Sequence, residues 1–429
     1  MTRSGYIGVD FGTSGCRAVA IDRQCGIIAE AQTRLPAPVR DAAGGIEQDP
    51  LTWRDALIRV LRELTGRAAT FTPQALCLDG TSATLLLCDL RGTPLGPALM
   101  YNDGRSREEA ARIGQIAPPT SPARGAGSSL AKLLFLKQRL RPGPGTLAQH
   151  QADWLLGYLT GHYGVSDWNN GLKLGLDPRT GRWPRWLARL GVEPVALPRA
   201  VAPGAELGRV SAEAARATGL PEHTRILAGT TDSTAAVVAA GAVKPGDAVT
   251  SLGSTLVLKI IGRDPIAAPH YGVYSHRFGE RWLIGGASNS GGAVLRQHFD
   301  DDKLRALSKT LDPTRPTGLD YYPLPAPGER FPINDGALQP RLSPRPADDG
   351  RFLQGLLEGI ACIEAAGYRR LRWLGAPPPR AVLTTGGGAA NAAWIKIRKR
   401  LIGVPVTAAA HQEAAYGAAL IARMGGIPT

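Results

Sequence analysis

Cysteine and histidine are scarce in this chain of 429 residues, and neither is arranged for chemistry. The five cysteines, Cys16, Cys25, Cys77, Cys88 and Cys362, are odd in number and form no C-x-x-C pair, which excludes a disulfide framework or a zinc ribbon and fits a reducing cytoplasm. The seven histidines show no H-E-x-x-H or similar ligand spacing. No apolar run approaches the roughly 20 residues that a bilayer span requires, and the N-terminus enters a strand pattern without a signal or transit signature, so a soluble, unexported protein is expected. The absence of G-x-x-x-x-G-K-S/T disfavours a Walker-type NTPase. Asp10-Phe11-Gly12 spells the protein-kinase DFG, yet no VAIK-type lysine or HRD loop precedes it, and coincidence is the better account. Acidic residues are outnumbered 36 to 50 by Lys and Arg, a formal net charge of +14. That excess could favour nucleic acid or anionic membranes. The basic residues are scattered, however, and the one short run, Lys396 to Arg400, reads at helical spacing as a solvated face. Neither a nucleic acid nor a membrane partner is expected.

What is present is glycine beside hydroxyls, at the turns of strand pairs. Tyr6 to Asp22 contains two apolar, β-branched runs flanking Gly12-Thr13-Ser14-Gly15, the pattern of a hairpin. Its glycines let the backbone approach a bulky anion, while the amides and the Thr13 and Ser14 hydroxyls can donate to phosphate oxygens. Asp10, at the end of the first run, could hold a hydrated Mg²⁺ there. Alone, such a turn is as readily a plain turn. Ala248 to Lys259 repeats the pattern around Gly253-Ser254-Thr255. A third cluster, Gly386-Gly387-Gly388-Ala389-Ala390-Asn391, follows the strand pattern Ala381 to Thr384 and leads into a helical run. Strand, glycines and helix suit a flat ligand such as a nucleoside, with an anion near the helix start.

Length is comfortable for two domains, with strand and helix alternating. Leu57, Val60, Leu61 and Leu64 lie on one face of a helix that would cover a sheet. Ala75 to Asp79 reads as a buried strand and Gly80 to Thr84 as the break after it. Ser106 with Glu109 predicts a capping box. Helices are expected over Leu130–Leu140, Ala152–Gly161 and Ser211–Thr218. Thr230 to Ser233 opens another after the strand Ile226–Gly229. There the dipole and free amides would keep the Asp232 carboxylate ionised and able to accept a proton, although Asp is also a preferred N-cap. Leu311 to Asp349 is expected to be a surface excursion anchored by Tyr321, Tyr322 and Phe331. The domain boundary is placed in the connector ending at Thr224, giving domains 1–224 and 225–429.

Six segments in order carry a resemblance: GVDFGTSGCRAVAID at the start, YNDGR at Tyr101, AGTTDS at Ala228, SLGST at Ser251, GGASNSGG at Gly285 and TTGGGAANAAW at Thr384. Over nearly its whole length the chain resembles the FGGY carbohydrate kinases. DGTSAT at Asp79 and the TTDS form of the catalytic loop are most similar to the D-ribulose kinases of cyanobacteria and plants, relatives of the xylulose kinases. The resemblance implies an α/β protein of two actin-like, ribonuclease H-like ATPase domains facing each other across a cleft. It implies transfer of the γ-phosphoryl of MgATP to the terminal hydroxyl of a pentulose, D-ribulose first and D-xylulose as the alternative. A noncatalytic ATP-binding relative, monomeric or homodimeric like the enzyme, would show no sugar-stimulated ADP release. By this resemblance Asp232 is the catalytic base, and Asp10, Ser14, Gly15, Cys16, Ser82 and Asp103 join it around the sugar. Asp10 also serves the metal. Gly12, Thr13, Gly253, Ser254, Thr255, Gly292, Gly387, Gly388, Ala389 and Asn391 fall to the nucleotide. For Asp103 and Arg105, bracing their own turn is the competing role.

Overall fold

The computed structural model describes residues 3–68 and 70–427. Two compact units emerge, one built from the chain up to Ala239 together with a return from Glu413, the other from Ala240–Gln412. The boundary expected at 224/225 is therefore displaced. The strand that begins at Arg225 pairs with the first unit's sheet, and a cut there would strip that sheet of a parallel strand.

In the first unit, β1 (Arg3–Phe11), β2 (Gly15–Asp22) and β3 (Ile27–Arg34) form an antiparallel meander. β4 (Phe71–Gly80) joins β1 in parallel, and β6 (Arg225–Thr231) joins β4 in parallel, with β5 (Glu206–Arg209) antiparallel at the edge. The order is β5-β6-β4-β1-β2-β3. Helix α1 (Pro50–Arg67) starts with proline at its first position, after Asp49 accepts from the Leu51 amide. Its expected stripe, Leu57, Val60, Leu61 and Leu64, is fully buried with Trp53. Helix α2 (Arg107–Ile116) begins without the capping box, because Ser106 makes no side-chain cap and its buried hydroxyl has no partner. Helices α3 (Ser129–Leu140), α4 (Gln151–Thr160) and α5 (Asp232–Ala240) follow.

The second unit repeats the plan. Its strands β7 (Asp247–Leu252), β8 (Leu256–Gly262), β9 (Tyr274–Phe278), β10 (Arg281–Ser288), β11 (Ala381–Thr385) and β12 (Val406–Ala408) are ordered β9-β10-β8-β7-β11-β12. Antiparallel strands, here four from β9 through β10 and β8 to β7, again adjoin two parallel ones, β11 and β12, the ribonuclease H-like arrangement that the family resemblance implies. Helix α6 (Asp349–Trp373) buries Leu353, Leu356, Leu357, Ile360 and Ala361, and α7 (Ala392–Ile402) packs beside it. The excursion before α6 is anchored as expected by buried Tyr321 and Phe331.

The last helix, α8 (Ala414–Met424), belongs to the first unit for a steric reason. A Cβ on Gly8 of β1 would collide with the α8 backbone, and one on Gly417 with the α5 backbone. Small residues thus seat α8 directly on the sheet. Among the described residues no helix is long and apolar enough to cross a membrane.

Candidate functional site

Three adjacent parallel strands of the first unit end at one edge, where open α/β sheets bind ligands. Asp10 stands opposite Asp79 in the β1–β4 register, and Thr230 of β6 stands opposite Asp79 from the other side. One residue beyond β6 the chain enters α5 at Asp232. Asp232 is thus the helix's first residue rather than the residue before it, and its Oδ1 accepts from the Ser233 amide at 2.6 Å. The side chain is half-buried. Burial lifts Asp10 to about 6. Its hydrogen bond with Asp79 and the Arg17 charge oppose that rise, while Asp232 and Glu413 add to it. Arg17 and Glu413 are themselves ion-paired.

Asp79 was not singled out from the sequence beyond marking a strand end. It is fully buried, and neither carboxyl oxygen accepts from a donor. Burial first, then the facing Asp10 and Asp232 charges, push its carboxyl well above the usual range. Asp79 therefore keeps its proton and offers it to Asp10, which leaves Asp10 the ionised member at neutral pH. The available signal was a lone acid ending the apolar run Ala75-Leu76-Cys77-Leu78, beside a strand that ends in Asp10. A stability consequence follows. The unfolded chain releases the Asp79 proton above about pH 4 while the native protein retains it, so the cost of Asp79 is absent below pH 4 and grows as pH rises. Asp79→Asn cannot incur that pH-dependent cost and is expected to stabilise the first unit at pH 7 by more than about 1.4 kcal/mol, the linkage free energy of one pH unit over which the native carboxyl keeps a proton the unfolded chain releases. The gain should disappear near pH 4; denaturant midpoints of the two proteins at both values check it.

Around this cluster the expected residues separate. The Gly12–Gly15 turn closes through the Gly12 amide on the Gly15 carbonyl at 3.0 Å. A Cβ on Gly12 would meet nothing nearer than 3.6 Å, so the space there is open to a ligand. Thr13 is half-buried and Ser14 exposed at the turn's tip. Gly15 answers to packing, since a Cβ would lie 3.0 Å from the Thr33 carbonyl of β3. Cys16 points into the core, 2 % exposed, with burial raising its thiol.

Asp103 is also buried and engaged by protein partners. Its fully buried carboxylate accepts from the Ile46 amide at 2.8 Å and from Arg105 Nη2 at 2.6 Å, while Arg105 reaches Glu47 at 2.7 Å. Burial pushes the Asp103 carboxyl up, but the Arg105 hydrogen bonds and the Ile46 amide outweigh it and hold the group below the usual range. Bracing of the turn is the role the geometry gives this pair. Ser82, by contrast, is half-buried between buried Thr81 and Ala83, in the loop that leaves β4 beside Asp79.

In the second unit the Gly253–Thr255 turn joins β7 to β8. Gly253 leaves its Cβ position open, Ser254 is exposed and accepts from Arg296 at 2.9 Å, and Thr255 is half-buried. Gly292 does not face a nucleotide by its amide, which donates to the Gly253 carbonyl at 2.9 Å, and a Cβ there would crowd that same carbonyl. Beyond β11, Gly387 has nothing near its Cβ position, whereas a Cβ on Gly388 would strike Leu252 and Trp394. Gly388 is required by packing and Gly387 is open to a ligand. Ala389 is 3 % exposed, so it would present backbone rather than methyl. Asn391 caps α7 through the Trp394 amide at 3.0 Å and donates to Ser308 at 2.9 Å, so its side-chain oxygen and nitrogen each have a structural partner.

The basic run on α7 is the solvated face expected of it only at Lys396 and Lys399, which are exposed. Arg398 is fully buried, its guanidinium forked onto Glu364 of α6 at 2.6 and 2.7 Å and bonded to Thr384 at 2.7 Å. Helical spacing marks which residues share a face; it does not reveal a carboxylate waiting in a distant helix.

Comparison with known proteins agrees with this arrangement. Residues 5–239 match the N-terminal domain, and residues 248–425 the C-terminal domain, of the FGGY family of carbohydrate kinases. The xylulose kinase of Streptomyces coelicolor is 30 % identical over 93 % of this chain and 83 % of its own length. Among solved structures, a xyloylose kinase from Brucella ovis superposes with a TM-score of 0.87 at 26 % identity, covering 99 % of this chain and 93 % of that one. The xylulose kinase of Rhodospirillum rubrum gives 0.85 at 25 % identity, covering 98 % and 89 %. With both halves matched in order, this chain belongs to the FGGY family of carbohydrate kinases.

Proposed function

We propose that this ATP-dependent carbohydrate kinase phosphorylates the terminal hydroxyl of a 2-ketopentose, converting D-ribulose to D-ribulose 5-phosphate. The carrying observation is the carboxylate cluster at one sheet edge, where Asp232 opens a helix beside Asp10 and a proton-retaining Asp79. Asp232 would take the proton of the attacking hydroxyl as it bonds to phosphorus, the general-base role phosphoryl transfer needs. Ser82 and the Ser14 turn would contact the acceptor sugar, and Thr13, beside the open face of Gly12, would receive phosphate oxygens. In the second unit Gly253, Ser254 and Thr255 would hold phosphate, and Gly387 with the Ala389 backbone would flank the adenosine.

Among the described residues no set of three or more His, Cys, Asp or Glu converges as a metal cage. One ionised carboxylate beside an open glycine turn nevertheless suits Mg²⁺, which keeps most of its water and takes few protein ligands. Asp10 would hold it. The ion would neutralise charge on the transferring phosphoryl group. The lack of cysteine pairing supports a reducing compartment such as the cytoplasm.

The D-ribulose reading is supported by DGTSAT at Asp79 and the TTDS loop. D-xylulose is the second reading, favoured by the names of the relatives above. The two sugars differ in configuration at one carbon, so pocket geometry alone separates them. A coupled ADP-release assay over D-ribulose, D-xylulose, ribitol, arabinitol and glycerol tests both. The highest kcat/KM is expected with D-ribulose; a higher value with D-xylulose overturns the first reading, and no sugar-stimulated release overturns the kinase reading.

A further inference from the structure

Lys132, in the first turn of α3, is fully buried, with all three ammonium hydrogens directed to backbone carbonyls of three separate segments. Its Nζ donates to Ala83 at 2.8 Å, Tyr101 at 3.0 Å and Gly127 at 3.1 Å. Ala83 is held at φ +69°, a left-handed conformation that costs a residue with a Cβ free energy and persists only where its surroundings enforce it. From the opposite side Gln151 Oε1 accepts from the Thr81 amide at 3.1 Å and hydroxyl at 3.0 Å, and Thr81 is bonded to Thr84 through their hydroxyls at 2.6 Å. The loop is thus pinned on either side of Ser82, which alone between Thr81 and Thr84 is not buried.

A buried cation with no carboxylate in contact among the described residues is an expensive way to fill a helix face, since an apolar side chain of similar length would avoid the desolvation cost. Burial pulls the ammonium down to about 7, with Lys173 adding to the effect and Asp103 opposing it. What an apolar substitute could not supply is the three-way tie. We infer that Lys132 is a positioning residue: by fixing the Ala83 carbonyl it sets the orientation in which Ser82 meets the acceptor sugar, while touching no substrate itself. The inference rests on the reading that places the Ser82 loop against the sugar.

The test uses the full chain with Lys132→Met, Ser82→Ala and the double variant. Expected is a rise of about tenfold in KM for the accepted pentulose with Lys132→Met, KM for ATP staying within about twofold, and a double variant no worse than the poorer single one, as for two residues acting through one contact. Amide hydrogen exchange should accelerate in segments 80–84, 101–105 and 125–128 and stay unchanged in 381–402. Lys132→Arg, which keeps charge and donors, should recover part of the sugar KM, and Lys132→Gln replaces the methionine variant if that one does not fold. Accelerated loop exchange with an unaltered sugar KM, or additive effects in the double variant, would show a lysine that only stabilises. Wild-type exchange in the three segments overturns the tie itself. If the wild-type chain phosphorylates no pentulose, the substrate reading fails, and the exchange measurement still decides whether Lys132 holds the loop.

Discussion

Asp232→Asn is expected to lower kcat by on the order of 10²-fold or more while leaving both KM values nearly unchanged. A group that acts as the hydroxyl proton departs contributes in the transition state and little to ground-state binding, so the loss appears in turnover. The asparagine is nearly isosteric and can still accept from the Ser233 amide through its side-chain oxygen, so the start of α5 has no reason to unravel. A second signature separates lost base chemistry from a disturbed site. Asp232 is among the charges that raise Asp10 to about 6, so its removal should move Asp10 downward. Asp10 is ionised above its pKa, and wild-type activity should fall as pH drops through about 6. In the variant the residual activity should hold to lower pH. Stopped-time ADP release across pH 5 to 8 measures both effects, and near-wild-type turnover would remove Asp232 from the role of base.

Much of this architecture was legible because its signals are local. Strand-turn-strand around Gly12 and Gly253, the stripe on α1 and the small residues of α8 each follow from period and side-chain size, and the structure realises them. The failures share a different cause. The domain boundary was placed at the connector ending at Thr224, whereas membership of β6 and α8 is settled by pairing with β4 and contact with β1, partners far away in sequence. The polar character of Asp103 suggested a sugar contact. Its satisfaction by Arg105 and the Ile46 amide depends on a strand 57 residues earlier. Gly292 and Gly388 looked like nucleotide glycines because sequence cannot distinguish space kept open for a ligand from space filled by a neighbouring chain. Asp79 and Lys132 were passed over for a related reason. A lone charge in an apolar run declares its burial, and the groups that face it become visible only in the fold.

The largest stability effect is expected from Arg398→Met in the second unit, at a cost of about 3–5 kcal/mol, the range for breaking a buried ion pair by removing one partner. Arg398 and Glu364 are both fully buried, and Glu364 Oε1 also accepts from Thr250 at 2.6 Å, with Thr250 bonded to the Tyr368 hydroxyl at 2.7 Å. Removing the guanidinium leaves the buried Glu364 carboxyl with the Thr250 hydroxyl as donor, which cannot replace a forked charge-assisted bond. Replacing Glu364 by leucine as well should recover most of the loss, because the stranded charge, rather than the missing attraction, dominates the single variant. Lys399→Ala, at an exposed position one residue along the same helix, should leave the unfolding transition where it was. The network also reaches function. Thr250 and Thr384 face each other in the β7–β11 register, one strand leading to the Gly253–Thr255 turn and the other to the Gly386–Asn391 loop. In the double variant, which restores stability without restoring the tie from Arg398 to Thr384, KM for ATP should rise while KM for the sugar stays put. Equal changes in the two constants would mean that this buried network stabilises the unit without shaping its nucleotide loops.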